Sequence, residues 1–228
     1  AIGAVREQNL FNDLHTYCMF IGYPRSGHSL IGSLLDAHAN MVVAHELDAL
    51  RYLHIGFSRA QLWWMILAQS RRFTRAGRQW TDYEYGVSGQ WQGRFDKLFV
   101  IGDKKGWMSS SRLARYPWLF ERLQRTMGLP IKIIHHVRNP YDNITTIARA
   151  SKKSLEEAID FYFSLCRTVV DLTSRIPVQG VCEVHLESLI ADPKRCNTIC
   201  LDTRLMNCAT TTGQYRLPYF FWIMFNPA

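Results

Sequence analysis

The chain has 228 residues, 47% of them hydrophobic and 13% aromatic, with a formal net charge of +8 and a sequence pI of about 9.3. This suits one α/β domain with a real core; it excludes a disordered chain and leaves little room for a second domain. The positive balance fits an anionic ligand, nucleic acid or an acidic surface, yet no nucleic-acid-binding motif occurs and the basic residues are spread along the chain. Their densest cluster, Arg71, Arg72, Arg75 and Arg78, reads as a solvated helix end.

In chain order, His15–Ile21 is a short β-prone apolar run ending at Gly22. Residues Ser29–His38 have helical spacing, with Leu30, Ile31, Leu34 and Leu35 on one side. Leu47–Leu53 and Ala60–Phe73 read as helices, and Tyr83–Gly93 as an aromatic loop. Lys97–Ile101 is a second strand, followed by a turn, Gly102-Asp103-Lys104-Lys105-Gly106. Tyr116–Met127 is helical, and Ile131–Val137 is a third strand closed by Arg138-Asn139-Pro140. Pro140 suits a helix's first turn, where its missing N–H is not needed; that helix carries Asn143–Ala150. A long helix over Leu155–Ile176 and a fourth strand, Val181–Leu186, follow. Strands separated by helices predict a mostly parallel sheet with helices on both faces, whose ligands bind at the carboxyl ends of the strands. The three post-strand segments at 22–29, 102–106 and 138–140 should therefore converge.

No apolar run is long enough to cross a membrane, and no secretory signal opens the chain. The first residue is Ala, so an N-terminal segment removed by processing stays open. The six cysteines, at 18, 166, 182, 196, 200 and 208, form no C-x-x-C pair, and no histidine spacing completes a metal site. Cys18 reads as core; disulfides among the C-terminal cysteines are open in a lumenal protein.

The first post-strand segment carries the chemistry. Gly22-Tyr23-Pro24-Arg25-Ser26-Gly27-His28-Ser29 fits the phosphate-loop frame G-x-x-x-x-G-K-S/T, except that His28 stands where nucleotide-hydrolysing loops carry lysine. Backbone N–H groups and a helix N-terminus grip phosphate first, and both glycines let the chain curl to present them. Ser26 and Ser29 add hydroxyls, and Arg25 adds a forked donor three places before His28. Losing the lysine argues against ATP or GTP and leaves a 5′-phosphate site intact. The alternative is a Gly-Pro turn that merely starts a helix.

This segment resembles the phosphosulfate loop of sulfotransferases that use 3′-phosphoadenosine 5′-phosphosulfate (PAPS), in which a proline, a basic residue, serine and glycine precede two hydroxyl residues. A second family motif, Arg-Asn/Asp-Pro-x-Asp with a hydroxyl eight residues after the arginine, is matched by Arg138, Asn139, Pro140, Asp142 and Thr146. The resemblance covers roughly residues 15–195. It implies a P-loop-like sulfotransferase fold over a single domain, 1–228, and a 5′-phosphosulfate site at Tyr23, Pro24, Arg25, Ser26, Gly27, His28 and Ser29. It further implies a 3′-phosphate site at Arg138 and Thr146. His28 departs from the family's hydroxyl, the family's basic C-terminal loop is missing, and 196–228 reads as divergent or truncated.

Sulfuryl transfer asks for a base, for cations at the leaving oxygen and for alignment, but for no metal. Glu46 is the first candidate base and His45 the second; Lys104 and Lys105 are the candidate cations, with Asp103 pairing with either lysine. His135 and His136 read as packing or supporting groups. Trp63, Trp64, Trp80, Tyr83, Tyr85, Trp91 and Trp107 are either an acceptor wall or ordinary core. The expected reaction is sulfuryl transfer from PAPS to a hydroxyl or amine of a small-molecule or glycan acceptor. The compartment expected is cytoplasmic, or the Golgi lumen if an anchor has been removed. The competing readings are a small-molecule kinase using ATP and a non-catalytic nucleotide-binding protein.

Overall fold

The computed structural model describes residues 8–177 and 180–192. The expectations for Cys196, Cys200, Cys208 and the segment 196–228 lie outside the described residues. A parallel sheet is built from β1 (Thr16–Gly22), β2 (Met41–His45), β5 (Val100–Lys104), β6 (Ile131–Val137) and β7 (Val181–His185), in the order β2-β5-β1-β6-β7. The helices are α1 (His28–Asp36), α2 (Ala49–His54), α3 (Arg59–Arg75), α4 (Trp107–Arg115), α5 (Trp118–Met127), α6 (Pro140–Ser151), α7 (Leu155–Ser174) and α8 (Leu186–Ala191). A two-stranded antiparallel hairpin, β3 (Gln79–Trp80) and β4 (Tyr83–Glu84), stands apart from the sheet.

The alternation of strand side chains divides the core in two. Cys18 and Phe20 of β1, Met41 and Val43 of β2, Val100 and Ile134 pack with Ile31, Leu34 and Leu35 of α1 and Leu189 of α8. Tyr17, Met19, Ile21, Val42, Ile101 and Ile133 face the other way, onto helices α2 to α7. Burying one such aliphatic side chain contributes about 1.5–3 kcal/mol. Local signals agree with this packing. Ser58 with Gln61, and Ser154 with Glu157, form capping boxes at the starts of α3 and α7. Pro140 occupies the first turn of α6, and the Asn139 side chain accepts the Tyr141 N–H there.

Three expectations are revised. First, Gly102, Asp103 and Lys104 are strand, not turn: β5 runs to Lys104, paired with β1 on one side and β2 on the other. Gly102 is needed for a close approach, since a Cβ there would overlap the Cys18 side chain and carbonyl. Second, Met41–His45 is a fifth strand and Trp107–Arg115 a helix, neither expected. Third, Arg78 is buried, with Nη1 2.8 Å from Asp36 Oδ2, and so is not part of a solvated face. This pair, with Ser70 Oγ donating to the same carboxylate at 2.7 Å, fixes the start of the hairpin segment to the end of α1.

Candidate functional site

The sheet order puts β1 at the centre. Its connection through α1 leads to β2 on one side, while β6 lies on the other. The loop after β1 therefore sits where the strand order of the parallel sheet reverses, between the ends of β5 and β6.

The loop's carbonyls are held by side chains. Gly22 N–H donates to Ser110 Oγ at 3.0 Å, and Ser110 Oγ lies 3.2 Å from the Gly22 carbonyl. Ser26 Oγ donates to the Tyr23 carbonyl (2.8 Å), Asn143 Nδ2 to that of Pro24 (2.6 Å) and Arg138 Nη1 to that of Arg25 (3.2 Å). With Arg25 at φ 63° and Gly27 at φ 100°, the chain turns sharply into α1. Among the described residues, no backbone carbonyl accepts the N–H of Gly27, His28 or Ser29. Such a group of open amides at a helix start is a concavity suited to an anion. Tyr23 anchors the loop from behind, its ring 4.5 Å from that of Tyr162 on α7. The Arg25 side chain is exposed.

His28 is not a fixed charge. Its ring is buried and folds back, Nε2–H donating to the Ile21 carbonyl at 3.2 Å while Nδ1 lies 3.1 Å from Ser26 Oγ. Burial first, and then Lys104, pull its pKa down to about 3.

The missing loop cation is replaced in space by Lys104, from β5. Its stem crosses α1 at Gly32, and its Nζ meets Ser29 Oγ at 2.9 Å and Glu46 Oε1 at 2.5 Å. Lys105 Nζ takes the other carboxylate oxygen, at 2.7 Å. Lys104 is 1% exposed, and burial lowers its pKa, with Glu46 opposing. Strand alternation sends Asp103 to the opposite face, so it pairs with neither lysine. Its carboxylate accepts the N–H of Leu47 (3.2 Å) and of Ala49 (2.7 Å). Asp103 thereby holds a turn in which Glu46 (φ 58°) and Asp48 (φ 63°) are both left-handed. Arg112 ties Asp48 to α4 at 2.5 Å.

His45 closes β2, buried and stacked on Phe73 with ring centroids 4.1 Å apart. Burial, then Lys104, drive its pKa down to about 2. Arg138 forms no ion pair with Asp142 among the described residues. The Thr146 hydroxyl donates to the Asp142 carbonyl of its own helix at 2.6 Å, so Arg138 reaches the loop and Thr146 does not.

The aromatic residues divide. Trp63 and Trp107 pack against the core, whereas Trp80, Tyr83 and Trp91 are exposed. Tyr85, just after the hairpin, has its hydroxyl near the Ser29 and Thr81 side chains, while burial raises its pKa. The supporting roles of Ser110, Asn143 and Asp103 were not anticipated. Asn143 lies inside the Arg138–Thr146 motif and could have been suspected; Ser110 lies in a helix that was not expected at all.

No protein-family model matches the sequence, and no curated protein matches it. Among solved structures, the sulfotransferase domain of the Synechococcus PCC 7002 olefin synthase is similar at TM-score 0.52 and 17% identity, over 84% of this chain and 74% of that one. A sulfotransferase domain from the curacin biosynthetic pathway is similar at TM-score 0.53 and 14% identity, over 83% and 73%. The parallel sheet, with its loop at the central strand, is the fold of sulfotransferase domains.

Proposed function

We propose that the chain is a PAPS-dependent sulfotransferase, transferring a sulfuryl group to a hydroxyl or amine by in-line displacement. The observation that carries the reading is the ammonium of Lys104, bonded at once to Ser29 on the loop's helix and to the Glu46 carboxylate. A phosphate-bearing nucleotide fits the residues present: among the described residues no backbone carbonyl accepts from three of the loop's amides, and Arg138 already rests on the loop. When bound, PAPS would supply the sulfuryl group and the leaving bisphosphate.

The chain's residues then divide the work. Tyr23, Pro24, Arg25, Ser26, Gly27, His28 and Ser29 form the 5′ end of the site, with the amides and hydroxyls as donors. Arg138 and Thr146 take the 3′-phosphate, Thr146 by turning its hydroxyl off its own helix. Lys104 and Lys105 hold positive charge where negative charge builds on the leaving oxygen. Glu46 accepts the acceptor's proton. Burial of His45 in an aromatic stack favours Glu46 over His45 as the base. The exposed rings of Trp80, Tyr83 and Trp91 offer flat apolar surface to a small-molecule or glycan acceptor.

Calorimetric titration with adenosine 3′,5′-bisphosphate, beside ATP with magnesium, tests the reading. The bisphosphate is expected to bind and ATP not. Arg138→Ala should weaken the bisphosphate about tenfold or more, the loss of a charge-assisted bond. In an acceptor screen, Glu46→Gln should keep nucleotide binding and abolish transfer. Binding of ATP alone would replace the reading with a small-molecule kinase. Bisphosphate binding without transfer to any acceptor would replace it with a non-catalytic nucleotide-binding protein.

A further inference from the structure

Two imidazoles lie against the loop with no part in the transfer chemistry. His28 enters from the first residue of α1 and His136 from β6, with ring centroids 5.6 Å apart. A Cβ on Gly27 would stand 2.8 Å from His136 Cε1, so this ring fills the space against the loop's second glycine. His136 is 0% exposed, and among the described residues neither ring nitrogen completes a hydrogen bond, although the Ser26 backbone faces the ring. A buried ring with two orphan nitrogens costs stability that packing alone does not explain.

Burial keeps both rings neutral, lowering His28 to about 3 and His136 well below the ordinary histidine value. The charged neighbours are few. Lys104 on β5 and His135 on β6 disfavour charge on His28, whereas the Ile21 carbonyl favours it. His28 and His135 disfavour charge on His136, whereas Glu187 on α8 favours it. Glu183 of β7, which also meets His185, pairs with His135 on the other face of the sheet.

We propose that His28 and His136 are titratable cations of the phosphate site: a phosphate dianion held by the loop draws a proton from solvent onto this imidazole pair. The protein thus acquires on binding the positive charge that a lysine at position 28 would carry permanently. The proposal rests on the phosphate-site part of the function above and is independent of sulfuryl transfer. Affinity for phosphate ligands falls as pH rises, because the proton needed becomes scarcer.

The test is calorimetry of the whole chain with adenosine 3′,5′-bisphosphate and, separately, inorganic pyrophosphate. Titrations at pH 7 in buffers of different ionisation enthalpy read the protons exchanged per ligand. The sign separates protein from ligand: a phosphate with its second pKa at about 6 can only release protons when it binds as the dianion. Net uptake of about half a proton or more is expected, with affinity falling by up to about tenfold per pH unit between pH 6 and 8. His136→Asn should bind more weakly and take up less. Should that variant fail to fold, imidazole NMR of the wild type gives the same answer, with the His136 ring moving to its charged form on titration. Bisphosphate binding with no uptake, or with release, overturns the proposal and leaves the sulfotransferase reading standing. Pyrophosphate binding with uptake, but no bisphosphate binding, does the reverse; binding of neither ligand overturns both.

Discussion

Lys104 shows what one side chain contributes here and why sequence could reveal only part of it. The lysine, Glu46 and Ser29 could each be singled out from the chain. The approach of Lys104 to Ser29 follows the expected convergence of segments 22–29 and 102–106; that of Glu46 could not be read, because it needs β2 and β5 to be neighbours, with His45 opposite Lys104. Alternation along β5 then sets adjacent residues to different tasks: Lys104 reaches α1 and the loop, while Asp103 turns to the other face. In Lys104→Met the stem still packs beside Gly32, but Ser29 and Glu46 lose the ammonium. Transfer should slow by about 10²–10³-fold, the usual loss when one donor to developing charge is removed. Nucleotide affinity should change by less than about tenfold, because the loop amides and Arg138 are untouched. Rapid-quench measurement of the transfer step beside bisphosphate calorimetry checks the pair; a wild-type transfer rate would remove Lys104 from the mechanism.

At the scale of elements, strands and helices with long apolar periods were readable, and short ones were not. Ile131–Val137 matched its expected bounds, and the long helix ended two residues early, at Ser174. Met41–His45 is only five residues, buried on both faces, and a continuous apolar run without alternation cannot be told by its period from part of a buried helix. The helix expected from Leu47 begins instead at Ala49, because residues 46–48 form the left-handed turn that Asp103 holds. Nothing local in Glu46-Leu47-Asp48 announces that turn; its partner lies more than 50 residues away. Asp103→Asn is nearly isosteric, yet it sets an amide donor against one of the two N–H groups. It should cost about 1–3 kcal/mol of stability and lower the transfer rate through Glu46, with the nucleotide Kd unchanged. Thermal unfolding, kcat and bisphosphate affinity together separate this positioning effect from general damage, which would weaken nucleotide binding as well.

At the scale of the molecule, two histidine-bearing strand ends and one loop histidine were bent into a closed interior, and this makes stability depend on pH. His28, His45 and His136 are all buried and neutral, with pKa values lowered to about 3, to about 2 and well below the usual value. Released by unfolding, each returns to about 6.5. Below that pH the unfolded chain binds protons that the folded chain refuses. Stability is therefore complete above about pH 6.5 and falls as the pH drops, by up to about 1.4 kcal/mol per pH unit for each histidine. Asp103 acts in the opposite sense, because burial raises its pKa to about 7. Its contribution is present at low pH and is lost as pH rises through about 7. His38 and His135 are lowered by burial as well, and Asp36 is raised by it; five histidines against two carboxylates should leave a net loss, so the Tm is expected to fall steadily from pH 7 to pH 5. His45→Gln removes one titrating ring, stacked on Phe73, and should make that fall shallower. A flat or rising wild-type Tm over the same range would mean that Asp103 dominates, and that the histidines are solvated well enough to titrate in the folded chain.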